Sequence, residues 1–323
     1  MSAVFFVSRK IKKSKKVFQT GKKPSGLSFR ITPRKAKEVK SDMTASERRN
    51  AILEDLCMRR FERINNLAFY NCSNLTQITI PDGVTRLEEK TFSGCSNLTT
   101  VNLPDSLTFI SGSVFANCNN LTQITIPDSV TSIGGFAFAN CSGLINITIP
   151  KSATEIRGYA FTNCSSLTQI IIPENIDWIG DHVFFGCTSL TSVTFQKGIT
   201  WIGEYSFENC TNLTNITLPD SVTGIGIGAF KNCEKLTSVT IGNSVTDIGQ
   251  DAFSYCEKLT SVTIGNSVTH IWSGVFKYCS GLTNITFKGT IEEWNAMEKG
   301  YEWNSGVPSD CVIHCSDGDI TIN

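Results

Sequence analysis

LTQITIPDSVTSIGGFAFANCSG, residues 121–143, decides the fold. Its cysteine is one of ten that stand 23 residues apart: Cys72, Cys95, Cys118, Cys141, Cys164, Cys187, Cys210, Cys233, Cys256 and Cys279. Phe precedes each by three positions, and Leu follows each by three. Six residues after each stands Ile or Val, and eight after stands Ile, Leu or Phe. A fixed period of roughly 20–50 residues marks a stacked architecture. One such unit cannot stand alone, because its small core returns less free energy than ordering the chain costs. Neighbouring units must therefore share core and hydrogen bonds.

Within the unit, the alternating end of Leu-Thr-Gln-Ile-Thr-Ile predicts a strand with one buried face. Pro127 and Asp128 occupy favoured turn positions. Val130–Gly135 predicts a second short extended piece, and Phe136–Cys141 predicts one helical turn that tucks Phe inward. The residue before each cysteine is Asn six times and Gly twice, which predicts a left-handed or tight backbone. Tyr255 and Tyr278 at the same position argue against a strict requirement.

On this combined Phe, Cys, Leu and Ile periodicity, residues 67–288 resemble the leucine-rich repeat of the BspA-like family in its 23-residue bacterial form. The implied fold is a repeat solenoid, a right-handed leucine-rich-repeat coil. It carries a parallel β-sheet on one face, short second strands or helical turns on the other, and a helical N-terminal cap. The repeat lacks a regular Asn just after the strand, so no continuous Asn ladder is expected there. Gln196, Gly242, Gly265 and Lys288 replace the turn proline. The organisation read from the chain is a basic, disordered tail over 1–43, a helical cap over 44–66, about ten coils over 67–288 and a C-terminal cap over 289–323.

The cap reading rests on particular residues. Thr44 and Glu47 have capping-box spacing. Ile52, Leu53, Leu56, Phe61 and Ile64 share one helical face. The stretch 47–69 is also similar to the opening of DeoR-type helix-turn-helix regulators. It then runs into the first repeat before any helix that would read a DNA groove, so DNA binding is not carried over. At the other end, Trp294 and Trp303 are placed to cover the last coil's core. That segment resembles the closing piece often found on bacterial BspA-like repeats.

A net charge of zero hides an asymmetry. Residues 1–66 hold 18 Lys and Arg against 6 Asp and Glu, whereas the rest hold 11 against 23. The tail is suited to nucleic acid, anionic lipid or the acidic body itself. No apolar run is long enough to span a membrane. The apolar residues of MSAVFFVSRKIKKSKK precede its basic ones, the reverse of a secretory signal. The sequence reads as cytoplasmic; the family resemblance implies cell-surface or secreted placement instead.

The repeated thiols admit three readings. Stacked side chains point in parallel, whereas a disulfide needs Cβ atoms turned toward each other. One cysteine per coil, with no His or carboxylate beside it, is not a zinc spacing. The reading adopted is packing, since a free cysteine is a small buried hydrophobe. Cys311, His314 and Cys315 suggest three metal ligands without a fourth, and a cap strand is preferred. The acids after proline, Asp82, Asp105, Asp128 and Asp220, are read as turn chemistry rather than a calcium edge.

No catalytic constellation appears. Gly224–Ala229, GIGIGA, matches a dinucleotide fingerprint only on paper, because no helix of adequate length follows. His182, His270 and His314 are scattered without triad partners. No cofactor or metal is called for. The strand face remains: of its twenty outward residues none is charged. Gln123, Thr125, Asn146, Thr148, Gln169, Ser192, Thr194, Asn215 and Thr217 are the candidate partner-binding residues on it. The alternative reading is that short polar β-formers merely keep a sheet soluble. The leading expectation is a non-enzymatic protein-binding repeat protein, possessing the adhesin-like role that the resemblance implies. The alternatives are a regulatory or nucleic-acid-associated protein acting through the basic tail, and a recombined frame without an evolved role.

Overall fold

A computed structural model describes residues 62–196 and 198–322. The tail reading over 1–43 and most of the helical-cap reading lie outside the described residues, as does most of the helix-turn-helix similarity. Ile64, counted above on a helical face, belongs instead to a strand. It pairs with Leu87, one repeat later, so the coil pattern is already present at residue 63.

Strands are numbered in chain order. Even-numbered strands carry the Ile-Thr-Ile alternation: β2 (Gln77–Thr79), β4 (Thr100–Asn102), β6 (Gln123–Thr125), β8 (Asn146–Thr148), β10 (Gln169–Ile172), β12 (Ser192–Phe195), β14 (Asn215–Thr217), β16 (Ser238–Thr240), β18 (Ser261–Ile264) and β20 (Asn284–Phe287). Odd-numbered strands are the second extended pieces: β1 (Arg63–Ile64), β3 (Arg86–Leu87), β5 (Phe109–Ile110), β7 (Ser132–Ile133), β9 (Glu155–Ile156), β11 (Trp178–Ile179), β13 (Trp201–Ile202), β15 (Gly224–Ile225), β17 (Asp247–Ile248) and β19 (His270–Ile271). All pairings between coils are parallel and offset by one repeat, such as Gln123 with Asn146 and Trp178 with Trp201.

The third side of each coil is a chain of tight turns in place of the expected helical turn. Alternate amides reach the next coil: Lys90, Phe92 and Gly94 donate to Gly112, Val114 and Ala116 at 3.0, 2.9 and 2.8 Å. The intervening amides close local turns, as Cys95 does onto Phe92 at 3.1 Å. Two left-handed residues per coil make this path possible. One immediately precedes the cysteine, and it is left-handed in all ten coils, Tyr255 (φ 61°) and Tyr278 (φ 58°) included. The requirement is therefore stricter than the residue types suggest. The other lies four positions earlier and is filled by residues as different as Leu67, Lys90 and Tyr159.

The core is a set of stacked columns. The ten repeat phenylalanines are buried, with ring centroids 5.0 Å apart at Phe69–Phe92 and 5.8 Å at Phe253–Phe276. Each offset stack adds about 0.5–1.5 kcal/mol to the area term. The repeat cysteines form the neighbouring column, all buried and unbridged. From Cys95 to Cys279, each thiol donates to the carbonyl of the Phe 26 residues earlier, at 3.1–3.4 Å. Threonines stitch the outside. Thr99, Thr191, Thr237 and Thr260 donate side-chain bonds to the carbonyl one coil back on the even-strand side, and Thr108, Thr131, Thr154 and Thr223 do so on the odd-strand side. An Asn ladder also exists, but before the cysteine: Asn140 donates to Asn117, and Asn163 to Asn140, both at 3.0 Å.

The last coil is covered by α1 (Ile291–Ala296), β21 (Glu298–Lys299) and the antiparallel pair β22 (Val312–Cys315) and β23 (Gly318–Thr321). A capping box of Thr290 and Glu293 starts α1. Trp294 is buried edge-on to Phe287 at 5.4 Å and to Trp303 at 6.0 Å.

Candidate functional site

The outward face of the even-numbered strands is built by pleat alone. Successive side chains of a strand point to opposite sides. Ile124, Ile147, Ile170 and Ile216 therefore enter the core, and their neighbours turn outward. Gln123, Thr125, Asn146, Thr148, Gln169, Ser192, Thr194, Asn215 and Thr217 are all exposed on this one face. The parallel register sets Asn146 beside Gln123, Ser192 beside Gln169 and Thr194 beside Ile171.

A groove of about 670 Å³ cuts this face between β8 and β10. Asn146, Thr148 and Gln169 line it, together with Ile171, Pro150 and Pro173. Ile171 fills an outward position held by Thr in most other coils, and it is 54% exposed. Lys151 and Asp128 stand at the groove's turn edge, one charge of each sign. Ile171 belongs to the outward row and is not among the nine candidate residues read from the sequence. Its signal was available: it is the single apolar residue among the twenty.

Chemistry on the other faces is sparser. Trp178 and Trp201 are partly exposed on the odd-strand side, and a Cβ on Gly224 would meet the Trp201 ring at 2.2 Å. Phe136, Tyr159, His182 and Tyr205 stack along the turn side, with Phe136–Tyr159 at 4.6 Å and Tyr159–His182 at 4.4 Å. The repeat cysteines are poor nucleophiles, since burial pushes the thiols of Cys141 and Cys187 up to about 12. Cys311 is buried and His314 points outward to Asp319 at 2.9 Å, and the segment forms the cap strand β22 preferred over a set of three metal ligands. No cluster fit for a metal occurs among the described residues. Asp82, Asp105, Asp128 and Asp220 are exposed on separate turns. Their turns are tied by bonds such as Ser129 Oγ to Leu107 O at 2.6 Å. GIGIGA passes through β15 into the next turn column with no helix following.

Comparison with solved structures gives a leucine-rich repeat protein from Bacteroides ovatus at TM-score 0.62 and 28% identity, covering 77% of this chain and 68% of that one. A leucine rich cell surface protein from Faecalibacterium prausnitzii is 30% identical over 73% of this chain and 79% of that one, at TM-score 0.43. The pneumococcal vaccine antigen PcpA shares the fold at TM-score 0.50 and 18% identity, over 79% of this chain and 71% of that one. No match was found among curated proteins. No described helix is long and apolar enough to cross a membrane. The sequence signature of the BspA type leucine rich repeat region (6 copies) matches residues 62–191 and 177–297. With its columns of Phe, Cys and Leu shared from coil to coil, the chain belongs to the BspA-type leucine-rich repeat family.

Proposed function

We propose that this protein is a non-enzymatic protein-binding solenoid, adhesin-like in role, that holds an extended polypeptide on the outward face of its even-numbered strands. The supporting observation is the groove, where Asn146, Thr148 and Gln169 surround the exposed Ile171. An apolar centre with a polar rim is the usual anatomy of a protein–protein interface. The even strands extend about 45 Å along the coil axis at strand spacing, so an extended partner meets repeated contacts. The test compares partners captured from native lysate or host extract by the wild type and by a variant with Asn146→Glu, Ser192→Glu and Asn215→Glu. Loss of specific partners with the fold intact supports the face; an unchanged set of partners places the site elsewhere.

The charge of the tail favours a second reading. With 18 basic and 6 acidic residues, positions 1–66 suit nucleic acid. DNA binding that disappears with rising salt and ignores base sequence would mark this as a charge effect without specificity.

A further inference from the structure

The parallel ladders do not run unbroken. On the even-strand side, pairing lapses between β4 and β6, β8 and β10, and β12 and β14. On the odd-strand side it lapses once, between β9 and β11. Among the described residues, only one junction loses both sheets together: that between residues 146–157 and residues 169–180.

Asp177 replaces the threonine that elsewhere bonds one coil back, and no bond joins Asp177 to the Thr154 carbonyl. Thr154 and Thr200, in the coils before and after, make theirs to Thr131 at 2.9 Å and to Asp177 at 2.7 Å. On the even-strand side Ile145 interrupts the threonine column, yet its own amide bonds Thr122 at 3.0 Å across a junction that stays paired. Thr168 reaches the Ile145 carbonyl at 3.2 Å through the backbone and only 3.5 Å through Oγ1. The equivalent backbone bonds at paired coils run from 2.8 Å for Thr99 and Thr237 to 3.1 Å for Thr283. The third side stays fully joined across the same junction. Tyr159, Phe161 and Asn163 donate to Asp181, Val183 and Phe185 at 2.9, 2.9 and 2.7 Å. Phe161 stacks on Phe184 at 5.5 Å and Tyr159 on His182 at 4.4 Å.

We infer that this junction is a hinge: the coils before it and the coils after it are two blocks joined chiefly along the turn column, with Thr168 to Ile145 and Asn175 Nδ2 to Lys151 O at 2.7 Å as the ties left on the sheet sides. The groove beside Ile171 lies in the mouth of that seam. Parting of the blocks widens the groove and closure narrows it, so the hinge gates the site proposed above. That consequence rests on the groove being the binding site; the hinge does not.

Hydrogen exchange of the full chain, with no partner present, tests it. Amides of Ile149 and Gly180, which lack a bond across the junction, are expected to exchange at least about tenfold faster than those of Ile241 and Gly249, which bond to Thr263 at 2.8 Å and to Ile225 at 2.9 Å. Asp177→Thr restores the odd-strand ladder and is expected to slow Gly180 about tenfold. Equal protection of these two pairs in the wild type overturns the inference, as does unchanged exchange in the variant. Because no partner takes part, failure of the hinge and failure of the binding face are read separately.

Discussion

The thiol of Cys141 donates to the carbonyl of Phe115, 26 residues earlier, at 3.1 Å. That carbonyl already accepts the amide of Cys118 at 3.1 Å, so the thiol fills its second lone pair inside a sealed core. The column thus needs a side chain that is small, apolar and still a weak donor, and cysteine meets all three conditions.

Alkaline pH should unfold the protein. Burial raises the nine ladder thiols from Cys95 to Cys279, Cys141 and Cys187 to about 12 from an ordinary 9.0. The native state keeps protons that the unfolded chain releases. The stabilisation is therefore complete below about pH 9 and is lost as pH rises toward about 12. Each thiol contributes a slope of about 1.4 kcal/mol per pH unit in that window. Circular dichroism should show cooperative loss of structure there. Alkylation at neutral pH should label the ladder only after denaturant is added.

Asn140→Ala should destabilise by about 1–2 kcal/mol, through a left-handed backbone penalty and two lost ladder bonds. Asn140→Gly should cost less than about 1 kcal/mol, because glycine accepts the φ of 59°. Urea denaturation that ranks alanine above glycine would show that backbone conformation dominates the position; equal costs would assign the effect to the Asn ladder.

Trp294→Ala should cost about 3–5 kcal/mol, since the indole is buried against Phe287 and Trp303. Thr290→Ala removes one cap and should cost about 1 kcal/mol. In a solenoid the damage stays near the altered coil. Hydrogen exchange should therefore rise in β18 and β20 before it rises in β6.

Partner binding on the even-strand face should depend weakly on salt. The nine candidate side chains carry no charge, so steering is small. Raising ionic strength tenfold should change affinity by less than about threefold, as read by titration calorimetry. A steep loss would point to the acidic turns at Asp105 and Asp128.

Much of this architecture is legible in one repeat. The 23-residue period and the Ile-Thr-Ile alternation place the strands, the Phe and Cys columns and the outward row. Asn and Gly before the cysteine announce a left-handed residue, although Tyr255 and Tyr278 obscure how strict it is. The second left-handed site was hidden, because Leu67, Lys90 and Tyr159 share no property that marks it; the intercoil bonds impose it. The Asn ladder lies before the cysteine, where its members had been read only as turn residues. The seam was beyond reach. It depends on whether Thr168 and Asp177 complete their bonds, which periodicity does not encode.

A photoreactive amino acid placed at Gln169, and in a separate protein at the exposed Trp201 on the odd-strand side, tests the central claim most directly. Both proteins are irradiated in native lysate or host extract and their crosslinked products compared. The account predicts a discrete adduct from Gln169 that is lost when Ile171→Glu is added, and none from position 201. An adduct from position 201 alone would contradict it.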